Sequence, residues 1–277
     1  MTQLVATKVE NFRSVCRQWR QFRKMSQLDL ALAANISQRH ISWLETGRSS
    51  PSRAMVIRLS DAMDIPLRER NILLQSAGFA SAYRETTLNE PAMAPVLDAL
   101  NHVLLHHEPL PALVVDRFWN VKRKNRAADL LLGIEGDTDA MLQRIGADGE
   151  INLALLTLHP QGLRPYIKNW QQVAPSFVRR LKSEALASGD SKVRDHLARY
   201  IELAGPIVDA DPAADPVNNS LLPVLPLELD IHGLQLSLFS VISTFGTPQD
   251  ITTDELRIEA FYPTDLKTRQ FFQSMAG

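Results

Sequence analysis

Twenty-two residues, Ser26 to Gly47, carry the signals for two short helices and the tight turn between them, and no other stretch restricts the fold as closely. Ser26 stands at an N-cap position with Asp29 three residues on, the acidic form of a capping box. Leu30, Ala31 and Ala34 then form one buried face. Asn35 follows, and asparagine tolerates the left-handed conformation that a tight inter-helix turn requires. Ser37 caps the next helix, Ile41 and Leu44 are its buried positions, and Gly47 stops it, because the residue after a helix usually needs a positive φ. Small side chains at Ala31 and Ala34 let the second helix cross closely over the first, while Ile36, Ile41 and Leu44 pin it down.

Helices are expected on both sides of this pair. Val9, Phe12, Val15, Cys16, Trp19 and Phe22 recur at helical spacing, with Arg13, Arg17, Arg20 and Lys24 on other faces. Pro51-Ser52 opens a fourth helix through Met63, and Pro66 a fifth that runs to Gly78. Residues 1–80 therefore read as an all-α, five-helix domain. Up to residue 77 there are twelve Lys and Arg against six Asp and Glu, whereas the rest of the chain has eighteen against twenty-five. The overall net charge of -1 thus hides a basic head and an acidic body, the distribution of a polyanion-binding module joined to one that does not bind polyanions.

With its apolar face buried, the second helix of the pair turns Ser37, Gln38, Arg39, Ser42 and Trp43 outward at its leading end. Glutamine pairs with adenine and arginine bidentately with guanine, each worth roughly 1–3 kcal/mol of discrimination. Gln27 is placed to donate to a phosphate near a helix N-terminus, and Arg48 and Arg53 are candidate phosphate contacts. Met25-Ser26-Gln27, Leu30-Ala31, Asn35-Ile36-Ser37, Ile41-Ser42, Leu44-Glu45-Thr46-Gly47 and Pro51-Ser52 closely resemble the Cro/C1-type, or XRE-family, helix-turn-helix of phage repressors and many bacterial regulators. The resemblance spans some seventy residues and departs mainly at Asn35, where the family usually has glycine. It implies a lambda-repressor-like domain in which Gln27 contacts the DNA backbone, Gln38 and Arg39 read bases, and Glu45 anchors the domain's own backbone. Trp43 would stack on a thymine methyl or pack on the neighbouring helix. The alternative, a protein-binding module with a degenerate DNA face, fits poorly with Gln38, Arg39 and their basic surroundings.

A composition of 45% hydrophobic and 22% charged residues is that of an ordinary globular chain. The longest apolar stretches, such as Leu153 to Leu158, fall well short of the ~18 residues of a membrane span. Met1 to Arg13 has no apolar h-region, and a single cysteine, Cys16, excludes an internal disulfide framework. The expectation is a cytoplasmic protein with no membrane association, in which the glycosylation-type tripeptide Asn218-Asn219-Ser220 has no role. Cys16 lies on a core face and reads as an inert thiol.

Periodicity weakens between Phe79 and Pro95, so residues 81–95 read as a linker and 96–277 as a second domain. Expected there are a helix over Ala94–His107 and a strand pair over Pro111–Val121 turning at Asp116-Arg117. A short helix over Asn125–Leu132 follows, then helical stretches over Ile151–Leu158, Leu163–Ala187 and Ser191–Ala204. Beyond an exposed loop over Gly205–Ser220, Leu222–Ile231 and Leu234–Phe245 form a hairpin turning at His232-Gly233, and Arg257–Tyr262 a closing strand. This is an α+β sensor-like order. No phosphate loop, nucleophile elbow or metalloprotease helix is present, and no enzymatic activity is expected. His102 and His106 share a helix face but lack convergent ligands, so a solvated face is favoured over a metal site.

Pro111 through Val121, Asn125, Ser243-Thr244-Phe245-Gly246-Thr247-Pro248 and Asp250-Ile251-Thr252 resemble the MmyB-type regulator ligand-binding domain, over nearly all of residues 92–272. That resemblance implies a PAS-like fold, a curved antiparallel sheet with helices that enclose a pocket, and an apolar ligand such as a fatty acid. Trp119, Leu156, Trp170, Phe177, Leu181, Leu236, Leu238 and Phe239 are candidate wall residues, each equally at home in a core. Asn120, Arg164, Tyr166 and Arg180 are candidates to orient a polar head group. The expected protein is a DNA-binding regulator that binds operator DNA as a homodimer and takes no cofactor beyond such a ligand. The alternatives are a regulator controlled by a protein docking on the second domain, with no small-molecule ligand, and an enzyme.

Overall fold

The structure, a computed structural model, describes residues 11–275 apart from 135, 137, 148 and 207–222. Val9, Leu222, the Asn218–Ser220 tripeptide and nearly all of the loop expected over Gly205–Ser220 lie outside the described residues. The chain forms two compact units, Met1–Thr86 with Pro248–Asp254, and Thr87–Thr247 with Glu255–Gly277. Residues 81–86 of the stretch expected as a linker thus count with the first unit and 87–95 with the second.

In the first unit the described residues up to position 86 form five helices, α1 (Phe12–Phe22), α2 (Gln27–Ala33), α3 (Gln38–Thr46), α4 (Arg53–Ala62) and α5 (Leu67–Ser76). Each of the first four begins at a residue whose side chain accepts a backbone N–H: Asn11, Ser26, Ser37 and Ser52. Such caps are typically worth ~1 kcal/mol each. Phe12, Val15, Cys16 and Trp19 of α1 meet Leu30, Ile41, Leu44, Val56 and Leu73 in a single core. Helix α5 starts after Pro66, which has no capping side chain, and Asp254 fills that role: its Oδ2 accepts from Leu67 N at 3.0 Å. A carboxylate there also meets the positive end of the helix dipole. Nearby, Thr86 Oγ1 donates to Asp250 Oδ2 at 2.6 Å. The segment after α5 is fastened to it by Asn71, whose side chain accepts from Ala82 N at 2.9 Å and donates to Tyr83 O at 2.8 Å.

The second unit opens with α6 (Ala94–His106), strands β1 (Ala112–Val115) and β2 (Val121–Lys124), and helices α7 (Arg126–Leu132), α8 (Thr138–Arg144) and α9 (Leu153–Leu158). It continues with α10 (Trp170–Ala187), α11 (Ser191–Leu203), β3 (Leu227–Ile231) and β4 (Leu234–Ser243). After α12 (Ile251–Glu255), most of which belongs to the first unit, come β5 (Arg257–Pro263) and α13 (Leu266–Ser274). The five strands form one antiparallel sheet in the order β2-β1-β5-β4-β3. Side chains alternate between its faces. Leu113, Val115, Leu236, Leu238 and Phe261 join the main core, whereas Ala112, Val114, Ile258 and Ala260 pack with Leu100 and Leu104 of α6. Strand β1 is therefore buried on both faces and reads as the unbroken apolar run Ala-Leu-Val-Val.

Three expectations need adjusting. The β1–β2 connection spans Asp116–Asn120 rather than a two-residue turn, held by Asp116 Oδ1 accepting from Phe118 N at 2.8 Å and Asn120 N at 2.9 Å. The helix expected from Leu163 begins only at Trp170. Before it, Arg164–Tyr166 makes a 3-10 turn around Pro165, and Ile167 pairs with Leu229 in a bridge that draws the chain out extended. Strand β5 closes the chain pattern but lies in the middle of the sheet, between β1 and β4. The hairpin turn stands where expected, with His232 at φ 53° and Gly233 at φ 91°, the two positive values a type I′ turn requires. No helix among the described residues is long and apolar enough to cross a membrane.

Candidate DNA-reading face and ligand cavity

The first site is built on α3. Ser26 N donates to Asp29 Oδ2 at 2.8 Å and Asp29 N to Ser26 Oγ at 3.1 Å, closing the capping box that starts α2. The Ser26 backbone N–H, and after it the Ser26 hydroxyl, hold the Asp29 carboxyl below its ordinary value. The turn passes through Asn35 at φ 51°, and Ser37 Oγ accepts from His40 N at 3.2 Å to begin α3. Burial of Ile41 and Leu44 then leaves Ser37, Gln38 and Arg39 exposed, with Ser42 and Trp43 half-buried beside them. The Arg39 guanidinium lies 4.5 Å from the centre of the Trp43 ring one turn on. That contact orients both side chains on one face. Arg48 and Arg53 are exposed beyond the C-terminus of α3 and at the first position of α4.

Glu45 sits beneath this face. Its carboxylate accepts from Arg20 Nε at 2.6 Å and Nη2 at 2.9 Å, a bidentate pair that ties α1 to α3. Arg20 Nη1 also donates to Met25 O at 2.8 Å, so Glu45 is anchored to the backbone through Arg20. Burial pushes the Glu45 carboxyl up, but the hydrogen bonds from Arg20 and Gln27, with the Arg20 charge, outweigh it and leave the carboxyl below its ordinary value. Gln27 Nε2 donates to Glu45 Oε2 at 2.9 Å. An amide nitrogen has two hydrogens, so this bond fixes the Gln27 side chain while leaving one donor for a phosphate. Gly47 closes α3 at φ 76°, and a Cβ there would fall 2.1 Å from Arg13 Cζ. The sequence does not mark Arg13 for this packing against the end of α3.

The second site lies within the second unit, between the sheet and helices α7, α9 and α10. It is a cavity of about 270 Å³ with walls that are mostly aliphatic and aromatic, among them Leu113, Trp119, Ala128, Leu153, Phe177 and Leu238. Trp119 is fully buried with φ 70°, an uncommon backbone for a bulky residue that costs roughly 1–2 kcal/mol. It is held there by Trp119 N donating to Asp116 O at 2.9 Å and by its indole Nε1 donating to Glu184 Oε2 at 2.9 Å.

One end of the cavity is polar. Arg180 crosses the Trp119 ring at 4.4 Å and donates through Nε to Glu184 Oε1 at 3.1 Å. Its Nη1 lies 3.6 Å from Glu259 Oε1, and Arg257 Nη1 lies 2.8 Å from Glu184 Oε2. Glu259 is almost wholly buried in the wall. Burial pushes its carboxyl up, and the opposing effects of Arg180 and the Ser240 hydroxyl do not cancel that rise.

Of the wall residues singled out from sequence, Trp119, Phe177, Leu238 and Phe239 border the cavity. The Phe239 ring stacks on Tyr262, its cross-strand partner, at 5.5 Å. Leu156, Leu181 and Leu236 are in the surrounding core, and Trp170 packs against it with Arg164 4.7 Å over its ring. Asn120 Nδ2 donates to Asp116 Oδ2 at 3.1 Å, and Asn120 Oδ1 accepts from Asn152 at 2.8 Å, so it braces the β1–β2 connection. Arg180 lines the cavity; Arg164 instead donates to Leu203 O at 3.1 Å, and Tyr166 faces the His232 ring at 5.8 Å. Glu184, Arg257 and Glu259 are not marked by sequence, although alternation along β5 places Glu259 on the face of the buried Phe261. His102 and His106 turn their Nδ1 atoms to the carbonyls of Asp98 and His102. Among the described residues no group of three His, Cys, Asp or Glu side chains is placed to hold a metal ion.

The family model for the MmyB-like transcription regulator ligand binding domain matches residues 96–275, and a helix-turn-helix family model matches residues 17–70. No curated protein matches the chain.

Proposed function

The chain belongs to the family of MmyB-like transcription regulators with a ligand-binding domain, and from that premise we propose that its second unit senses a small, apolar, fatty-acid-like molecule. The helix-turn-helix makes it a DNA-binding transcription regulator. The observation that carries the proposal is the cavity of about 270 Å³, apolar along its length and polar at one end. Such a site suits a molecule that buries a chain and orients one head group. An antiparallel sheet with helices around a cavity also supports a PAS-like reading of the domain.

In the head, Gln38 and Arg39 read bases, Ser42 and Trp43 complete the reading face, and Gln27, Ser37, Arg48 and Arg53 bind the DNA backbone. The protein acts in the cytoplasm as a homodimer on paired half-sites, since the motif's half-sites lie about 34–36 Å apart. Ligand alters operator affinity by binding one conformation more tightly than another, with a coupling of roughly 1–3 kcal/mol.

Mass spectrometry of the purified protein, native and then after organic extraction, tests the reading. A stoichiometric apolar compound is expected. A protein that takes up no apolar compound even on addition would instead favour control by a docked protein.

A further inference from the structure

Arg20, Arg23 and Arg70 of the first unit commit their donors to the fold: Arg20 to Glu45 and Met25 O, Arg23 to Met63 O at 2.7 Å, and Arg70 to Ile65 O at 2.6 Å. Arg39 does not. Among the described residues its guanidinium makes no hydrogen bond or ion pair, and it lies 4.5 Å from the centre of the Trp43 ring. Glu45, the only acid on α3, is already engaged by Arg20 and Gln27. Trp43 itself is half-buried, whereas Arg39 is exposed. An aromatic ring attracts a guanidinium through its quadrupole and takes up none of its five N–H groups. A carboxylate in that place would also hold the side chain, but it would compete with a guanine for the same donors.

We propose that Trp43 is a positioning residue for base recognition. Its ring holds the Arg39 guanidinium, donors free, for O6 and N7 of one guanine, and Trp43 specifies no base of its own. This rests on the reading of α3 as the DNA-reading helix above and divides the work between two of its residues. Arginine has much rotamer freedom to lose, so restricting it before DNA arrives reduces what must be ordered on binding. The ring acts on that guanidinium and not on Gln38 or the phosphate contacts. Its contribution therefore falls on a single base pair.

The test begins with the full chain selecting its binding sequence from randomised duplex DNA. Fluorescence anisotropy then compares wild type, Arg39→Ala, Trp43→Phe and Trp43→Leu on duplexes in which each base pair is changed in turn. Arg39→Ala should lose its preference at one G·C pair. Trp43→Leu keeps apolar bulk without a π face, and it should lose about threefold to fivefold of the preference at that same pair. Trp43→Phe keeps a π face and should lose no more than about twofold there. A loss in Trp43→Leu spread evenly over all pairs would make the ring merely structural, and a loss at a different pair would make Trp43 a base reader. Either result, or an undiminished preference, overturns the positioning role while Arg39 keeps its reading role. If Arg39→Ala loses preference at no pair, both are wrong. Trp43→Met, equally without a ring, replaces Trp43→Leu if that variant folds poorly.

Discussion

Arg20 and Glu45 meet through two parallel hydrogen bonds, Nε to Oε1 at 2.6 Å and Nη2 to Oε2 at 2.9 Å, with only 10% and 3% of the two side chains exposed. A pair this well buried adds little net stability when intact but is costly to break, because one charge is left behind without its partner.

Arg20→Ala and Glu45→Ala should each destabilise the first unit by about 3–5 kcal/mol, measured by denaturant unfolding. Because the folded-state pKa of Glu45 lies below its ordinary value of 4.5, its stabilisation is complete above that value and is lost as pH falls through the lower, folded one. Glu45→Gln should therefore flatten the acid limb of the stability curve. An acid limb unchanged by the substitution would show that the pair does not govern it.

Arg39→Ala should reduce preference for the operator over a single-base variant by roughly 1–3 kcal/mol. Arg48→Ala should weaken binding to every DNA and lower the salt slope by about one. Fluorescence anisotropy across a salt series separates the two. Full sequence discrimination in Arg39→Ala would move the base-reading role elsewhere on α3.

Cys16 is 1% exposed, and burial, followed by the nearby Glu45 charge, pushes its thiol up to about 12. Only the thiolate reacts appreciably. At pH 8 an aromatic disulfide reagent should therefore label the native protein orders of magnitude more slowly than the unfolded chain. Prompt stoichiometric labelling of folded protein would refute this.

Glu259 has the opposite sign to Glu45. Its folded-state pKa is raised, so its support for the fold is present at low pH and is lost as pH rises from its ordinary value of 4.5 through the raised one. The groups facing it are Arg180 and Glu184 from α10, Ser240 from β4, and its own strand neighbour Arg257. Glu259→Gln should melt higher than wild type near pH 8, with the difference closing toward pH 4.5. A difference that widens on acidification would contradict the sign.

The head was legible because its determinants are local. Ser26 with Asp29, Asn35 in the turn and Gly47 at the stop each act within a few residues, and the structure uses each in that role. The hairpin at His232-Gly233 was legible for the same reason. Strand order was not, since the insertion of β5 between β1 and β4 depends on pairings such as Leu113 with Glu259, far apart in the chain. The cavity shows the same limit. Apolar spacing does not distinguish Phe177, which borders it, from Leu181, one turn further along α10 and 0% exposed in the core. Glu259 was missed because a lone acid in a strand ordinarily faces water, and its place two residues from Phe261 tells only once that face of β5 is known to be the buried one.

The placement of Pro248–Asp254 with the first unit bears on modularity. A boundary drawn along the chain would assign these residues to the sensor, yet the start of α5 relies on Asp254 and Thr86 on Asp250. A head excised at residue 86 would lose its own capping anion, so exchange of heads between such regulators by simple recombination would carry a thermodynamic penalty. Grafting the seven-residue peptide back, or capping α5 locally with serine in place of Pro66, is what an autonomous head would require.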